Sequence, residues 1–116
     1  MIEVINIDNL KAQMRKGILE YCILSILSKG DAYASAIINE LKDSEMIIVE
    51  GTLYPLLTRQ KNQGLLSYRW EESTQGPPRK YYTITDKGYA VLGELDTAWE
   101  NLVKVIDNIR KNKTSD

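Results

Sequence analysis

Histidine and phenylalanine are absent from this 116-residue chain, cysteine occurs once and proline three times. Without histidine there is neither a His-activated nucleophile nor a His metal site, and a single cysteine builds neither a thiolate zinc site nor an intramolecular disulfide. The seven glycines (17, 30, 51, 64, 76, 88, 93) are dispersed, so no Gly-rich phosphate loop exists. Carboxylate-only catalysis has no constellation to support it, and neither an enzyme nor a metal or cofactor is expected. Met1-Ile2-Glu3 puts no basic region ahead of an apolar run, and no run approaches the roughly 20 apolar residues of a bilayer span. The expectation is a soluble, unsecreted, cytoplasmic protein with no membrane partner. Cys22, inside the apolar run 18–27, reads as a buried structural thiol.

What is present suffices for one core and little more, since 43% of the residues are hydrophobic in a chain of single-domain length. Fifteen Lys+Arg against sixteen Asp+Glu leave a net charge of −1, which is not the strongly basic balance of a non-specific nucleic-acid binder. Any charge that meets nucleic acid must therefore be local.

Apolar residues recur every fourth position at Leu10, Met14, Ile18, Cys22 and Ile26, with Leu19, Ile23 and Leu27 beside them, which predicts a helix over 10–27 with a broad buried face. Gly30-Asp31 breaks it. Ala34, Ile37, Ile38 and Leu41 mark one face of a shorter second helix. After the extended-looking Ile47-Ile48-Val49, a third helix carries Leu53, Leu56 and Leu57 and stops at Gly64. Pro55 lacks an N–H and belongs in a first turn, so this helix is expected to start a few residues earlier, with Thr52 or Glu50 at the cap.

Leu66, Tyr68 and Trp70 alternate with polar residues, a turn-rich stretch covers 73–78, and Tyr81-Tyr82-Thr83-Ile84-Thr85 favours strand, so two short strands form a hairpin. From about 86 to 111, Leu92, Leu95, Trp99, Leu102, Ile106 and Ile109 are separated by alternating steps of three and four, a heptad seam. Val91, Ala98 and Val105 widen it beyond what a lone exposed helix can present to water. The alternative is that this face packs only on its own domain; a symmetric homodimer is the simplest closed solution.

Helix, helix, helix and hairpin in that order describe a mainly α winged helix-turn-helix with a β-hairpin wing, here over 9–85, followed by one long C-terminal dimerisation helix over 86–113. Between residues 53 and 82 the bases Arg59, Lys61, Arg69, Arg79 and Lys80 outnumber Glu71 and Glu72, a local surplus of +3 interleaved with tyrosines. Guanidinium groups and hydroxyls there suit phosphate and base-edge contacts on double-stranded DNA. The second helix of such a turn motif enters the major groove by its N-terminal half, which makes Thr52, Tyr54, Pro55, Thr58, Arg59 and Lys61 the candidate contacts, with Arg79, Lys80 and Tyr81 on the wing. A rival reading makes the winged helix a protein-interaction module without specific DNA binding.

These residues resemble the PadR family of repressors, and more closely its small subfamily with a single C-terminal helix and multidrug-binding members. The resemblance runs from Leu10 onward and rests on Gly51-Thr52-Leu53-Tyr54-Pro55-Leu56-Leu57, on Gly64-Leu65-Leu66, and on Arg79-Lys80-Tyr81-Tyr82-Thr83-Ile84-Thr85 with Lys87-Gly88 behind it. It implies a dimer whose C-terminal helices cross the N-terminal ones, recognition helices on a pseudo-palindromic operator, and repression relieved by a small molecule. Two positions depart from the pattern. Gln60-Lys61 stand where the family has an apolar residue followed by an acid, so the Gln60 amide must find a partner or lie at the core's edge. The wing tip reads Gly76-Pro77-Pro78, with one positive charge fewer than usual.

The resemblance also places Trp99 at the position of paired tryptophans that sandwich flat aromatic drugs, with Met14, Gly17 and Tyr21 lining the same pore, and so implies a small aromatic effector. The alternative is that Trp99 fills the dimer core. An acidic position of drug-binding members is Val103 here, so a cationic ligand would need Glu100, Asp96 or Glu20.

Overall fold

The computed structural model describes residues 5–112, so the Met1-Ile2-Glu3 start and residue 113, the expected end of the last helix, lie outside the described residues. Four helices and three strands follow in the order α1 (Ile7–Ser28), β1 (Ala32–Tyr33), α2 (Ala34–Asp43), α3 (Glu50–Asn62), β2 (Leu66–Ser73), β3 (Gly76–Ile84) and α4 (Asp86–Lys111). This is the mainly α winged helix-turn-helix with a long C-terminal helix. Among the described residues no helix is long and apolar enough to cross a membrane.

The first helix is longer than its apolar pattern. The Asn6 side chain accepts from the Asn9 N–H at 3.0 Å, which satisfies a donor with no intrahelical partner and starts α1 at Ile7. Only its C-terminal half is in the core: Leu19, Ile23, Leu24, Ile26 and Leu27 are buried, whereas Leu10 and Met14 of the same predicted stripe are exposed. Cys22 is half-buried rather than buried, and desolvation alone pushes its thiol pKa up.

Two expectations for α3 are corrected. Val49 is its N-cap, with no side-chain cap bond, so neither Thr52 nor Glu50 caps it; Glu50 is the first helical residue, where its charge meets the positive end of the helix dipole. Pro55 is consequently the sixth helical residue and not in the first turn. The carbonyl four positions back, which proline leaves without a donor, belongs to Gly51, whose exposed backbone can turn to water. At the other end Gly64 adopts φ 79°, and Leu65 N–H to Gln60 C=O (2.9 Å) with Gly64 N–H to Lys61 C=O (3.0 Å) close a Schellman motif.

The wing has three strands rather than two. Its order is β1-β3-β2, all antiparallel, with Tyr33 opposite Tyr81 and Arg69 opposite Tyr81 from the other side. The expected loop over 73–78 shrinks to a tight turn, because β3 already begins at Gly76 and its ladder with β2 shifts register between Glu71 and Ser73. Pro77 and Pro78 are tolerated there because β1 pairs only with Tyr81 and Tyr82, which frees one edge of β3 at the tip, and the register shift leaves both prolines without a partner on the β2 side. The Ile47-Ile48-Val49 stretch stays outside any strand.

The sharpest fit joins the end of α3 to the start of α4. The Thr85 hydroxyl donates to the Gly64 carbonyl (2.6 Å) and accepts from the Gly88 N–H (3.0 Å), while Lys87 Nζ donates to the Gln63 carbonyl (2.8 Å). Gly88 lies so close beneath Leu65 that a Cβ there would stand 2.2 Å from the Leu65 carbonyl oxygen.

Gln60 sits in the core at 1% exposure. Its Nε2 donates to the Glu20 carbonyl at 3.0 Å, but Oε1 has no partner among the described residues. Half of the expected satisfaction is thus met. The Glu20 carbonyl lies within α1 and keeps its helical bond when the amide is removed, so Gln60→Met deletes an unpaired buried acceptor at little loss. A gain of about 1 kcal/mol in chemical denaturation is expected; a destabilised variant would show that the Oε1 atom is satisfied in solution.

Candidate nucleic-acid interface

Around α3, Leu53, Leu57 and Gln60 point inward, which leaves the six predicted contact residues spread over the remaining arc. Tyr54 and Lys61 lie on the side toward the wing, where Lys61 Nζ stands 5.8 Å from the centre of the Tyr68 ring. Pro55 and Thr58 are on the open face, both exposed. Thr52 and Pro55 border a groove shared with α1 and the α2–α3 connection, and Arg59 Nη1 pairs with Glu20 Oε1 of α1 at 3.3 Å. The six therefore form a band, with Arg59 already engaged by an acid although most of its side chain remains in water.

The wing trio is divided by strand alternation. Arg79 and Tyr81 share one face with Arg69 and with Tyr33 of β1: the Arg69 guanidinium lies 4.5 Å from the Tyr81 ring centre, Tyr81 meets Tyr33 edge-on at 4.7 Å, and Arg79 lies 4.2 Å over Tyr33. Guanidinium over aromatic faces is favourable and orders long side chains before any ligand arrives. Arg69 is tied further to Glu71 at 2.8 Å and to Asp31 at 3.2 Å, so it is the wing's internal brace. A hydrogen bond from Thr83, and then the Arg69 charge, hold the Asp31 carboxyl below its ordinary pKa. Lys80 stands on the opposite face, 4.5 Å over Tyr68 and 5.6 Å from Trp70, across the ladder from Trp70.

Both faces of the wing tip contribute to one cleft of about 330 Å³ between β3, the start of α2 and the start of α3. Tyr54, Arg79 and Lys80 line it together with Tyr33, Ser35, Glu50 and Trp70, four residues outside the predicted contact set. For Trp70 a signal existed, since the same alternation that puts Leu66 and Tyr68 inward carries Trp70 to their side. Tyr33 and Ser35 gave no local signal, because only the pairing of β1 with β3 brings them there.

A third concavity, of about 450 Å³, lies between α1 and α4 and brings together all four predicted ligand residues, Met14, Gly17, Tyr21 and Trp99, with Leu95, Leu102 and Ile106. The Tyr21 and Trp99 ring centres are 6.5 Å apart at 43°. The Tyr21 hydroxyl donates to Asp96, and that bond, before desolvation and the neighbouring carboxylates, pushes its pKa up to about 12. Of the acids considered for a cationic ligand, Asp96 is thus bonded to Tyr21 and Glu20 to Arg59, which leaves Glu100 at the exposed helix surface.

The heptad seam is divided as well. Leu92 is buried in the chain's own core and Leu95 half-buried against it, whereas Trp99, Leu102, Ile106 and Ile109 are 40–65% exposed, and neighbouring Val103 and Val105 are exposed as well.

With this geometry in hand, comparison with known proteins is specific. A family model described as the transcriptional regulator PadR-like family matches residues 23–94. The chain is similar to a PadR-like transcription factor from Bacteroides fragilis, at 61% identity and a TM-score of 0.76 over 87% of this chain and 98% of that one. It is similar also to a PadR family transcriptional regulator from Eggerthella lenta, at 34% identity and a TM-score of 0.83 over 94% of each chain. A PadR-like transcriptional regulator from Bacillus cereus matches at 38% identity and a TM-score of 0.74, over 84% of this chain and 95% of that one.

Proposed function

The chain belongs to the PadR-like family of transcriptional regulators, DNA-binding proteins and not enzymes, and we propose that it acts in the cytoplasm as a dimeric repressor of its operator. In this reading the winged-helix unit over 9–85 binds DNA and the helix over 86–113 joins two copies. The observation that carries it is the convergence of Tyr54 at the start of α3 with Arg79 and Lys80 of the wing on one open cleft. Tyr54, Pro55 and Thr58 face base edges in the major groove, while Arg79, Lys80 and Lys61 hold phosphates and set the register. A pseudo-palindromic site follows from a two-fold dimer.

The α1–α4 groove fits a small, flat aromatic effector, since Trp99 and Tyr21 offer π-faces beside the soft Met14 and the space left by Gly17. Bound there, it lies against the helices that form the dimer and so can alter the spacing of the two recognition helices. Chemistry beyond "flat and apolar" is set by the exposed Glu100, which favours a cation.

Anisotropy titration against duplex DNA from its own promoter, at two salt concentrations, tests the reading. Arg79→Ala should weaken binding and lower the salt slope by about one, because it removes one phosphate contact. Tyr54→Ala should weaken binding to the operator by roughly tenfold and random DNA hardly at all, since each base contact carries about 1–3 kcal/mol. A flat aromatic cation added to the complex should lower affinity and quench Trp99. Binding that ignores both sequence and salt would instead favour the protein-interaction reading.

A further inference from the structure

We propose that Trp70 is a DNA contact on the wing, packing its ring against the deoxyribose of the same backbone stretch whose phosphate Lys80 holds. This rests on the DNA-binding reading above and adds to it a residue that no motif assigns.

Trp70 is 61% exposed on a strand whose other inward-facing members are buried or half-buried. An indole left in water forgoes a large burial gain, and a cluster that fixes its orientation without covering it leaves the ring available to a partner. Tyr68 meets Trp70 edge-on, with centres 6.0 Å apart and planes at 89°, and Lys80, directly across the ladder, lies over both rings. The ring is therefore held upright with an ammonium beside it.

That pair suits one kind of occupant. A nucleic-acid backbone presents an apolar sugar and a phosphate in alternation, and a fixed aromatic next to a fixed cation matches one such unit. Arg79 and Tyr54 line the same cleft, so the unit lies between the wing and the recognition helix. Glu50, on the α3 side, repels phosphate and keeps the backbone on the wing side. The wing tip itself, Gly76-Pro77-Pro78, carries no charge, so the wing's grip comes from Arg79 and from the Trp70–Lys80 pair farther along the strands.

The two contributions separate experimentally. Binding of operator and random duplexes is measured for wild type, Trp70→Ala, Trp70→Phe and Lys80→Ala over a range of salt, with tryptophan emission recorded in the same titrations and circular dichroism confirming that each variant is folded. Trp70→Ala should bind about tenfold more weakly with an unchanged salt slope, since it removes apolar area and no charge. Lys80→Ala should lower that slope by about one. Trp70→Phe should bind within about threefold of wild type, because a ring remains. The wild-type emission should change on saturation with DNA, and this change should be missing in Trp70→Phe, where Trp99 is the remaining indole.

If Trp70→Ala binds within about twofold of wild type, or if Trp70→Phe shows the full wild-type emission change, the inference is wrong while DNA binding stands. If Trp70→Ala lowers the salt slope as Lys80→Ala does, Trp70 only positions the lysine and the proposed contact fails. If the wild type binds no duplex, the underlying reading fails first, and this one with it.

Discussion

Leu102→Asp should leave the chain folded, turn the proposed dimer into monomers and weaken operator binding by about a thousandfold. Leu102 is 54% exposed in the protomer and makes no part of its buried core, so a carboxylate there stays in water and costs the fold little. In a dimer built on the α4 seam the same side chain is covered, and two carboxylates meet near the two-fold axis, where desolvation and like-charge repulsion both oppose association. Two linked half-sites bind with an avidity about 10²–10⁴ times that of one, which sets the size of the loss. Sedimentation velocity and anisotropy on the same sample check it. A variant that remains dimeric with wild-type affinity would show that the exposed stripe of Trp99, Leu102, Ile106 and Ile109 is not the interface.

Gly88→Ala should cost roughly 3 kcal/mol and lower the melting temperature by roughly 10 °C or more, although it adds a single methyl in a helix. The added Cβ would stand 2.2 Å from the Leu65 carbonyl oxygen and 2.6 Å from Ile84 Cγ1, and the carbonyl is backbone that cannot swing aside. Relief requires α4 to lift away from the α3–β2 connection, which strains the bonds that Thr85 and Lys87 make to Gly64 and Gln63. Gly93, five residues on in the same helix, is the control: nothing lies within 4 Å of its Cβ position, so Gly93→Ala should stabilise by about 0.5–1 kcal/mol through helix propensity alone. Thermal denaturation of the pair separates contact from propensity. Equal effects would mean that the close approach at Gly88 is absent in solution.

Much of the architecture was legible because it is written in short-range periodicity. The seam of threes and fours from Leu92 to Ile109 places α4 where it lies, from Asp86 to Lys111. Gly64 marked the end of α3 because only a left-handed residue permits the Schellman bonds. Legibility failed where a local rule met a non-local circumstance. Pro55 argued for a first-turn position with Thr52 or Glu50 at the cap, but the helix starts at Glu50 and Pro55 stands sixth in it, four residues after the exposed Gly51. Pro77 and Pro78 argued for a loop, but β1 is too short to reach the tip and the β2–β3 ladder shifts register there, so neither proline has a ladder partner. β1 itself, two residues long, has no period to detect and exists through its partner β3.

By itself, then, the sequence determined the helices, the existence of a wing, the local positive surplus around it and an apolar C-terminal stripe too broad for water, because each is a matter of spacing along the chain. Only the tertiary structure decided which of those groups meet. It parted Lys80 from Arg79 and Tyr81, committed Arg59 to Glu20, and sank the amide of Gln60 into the core. It also drew Trp70, Tyr33 and Glu50 around Tyr54, and Met14, Gly17 and Tyr21 around Trp99. The physical reason is that such encounters depend on how helices and strands pack across long separations in the chain, and side chains at those crossings carry no pattern of their own.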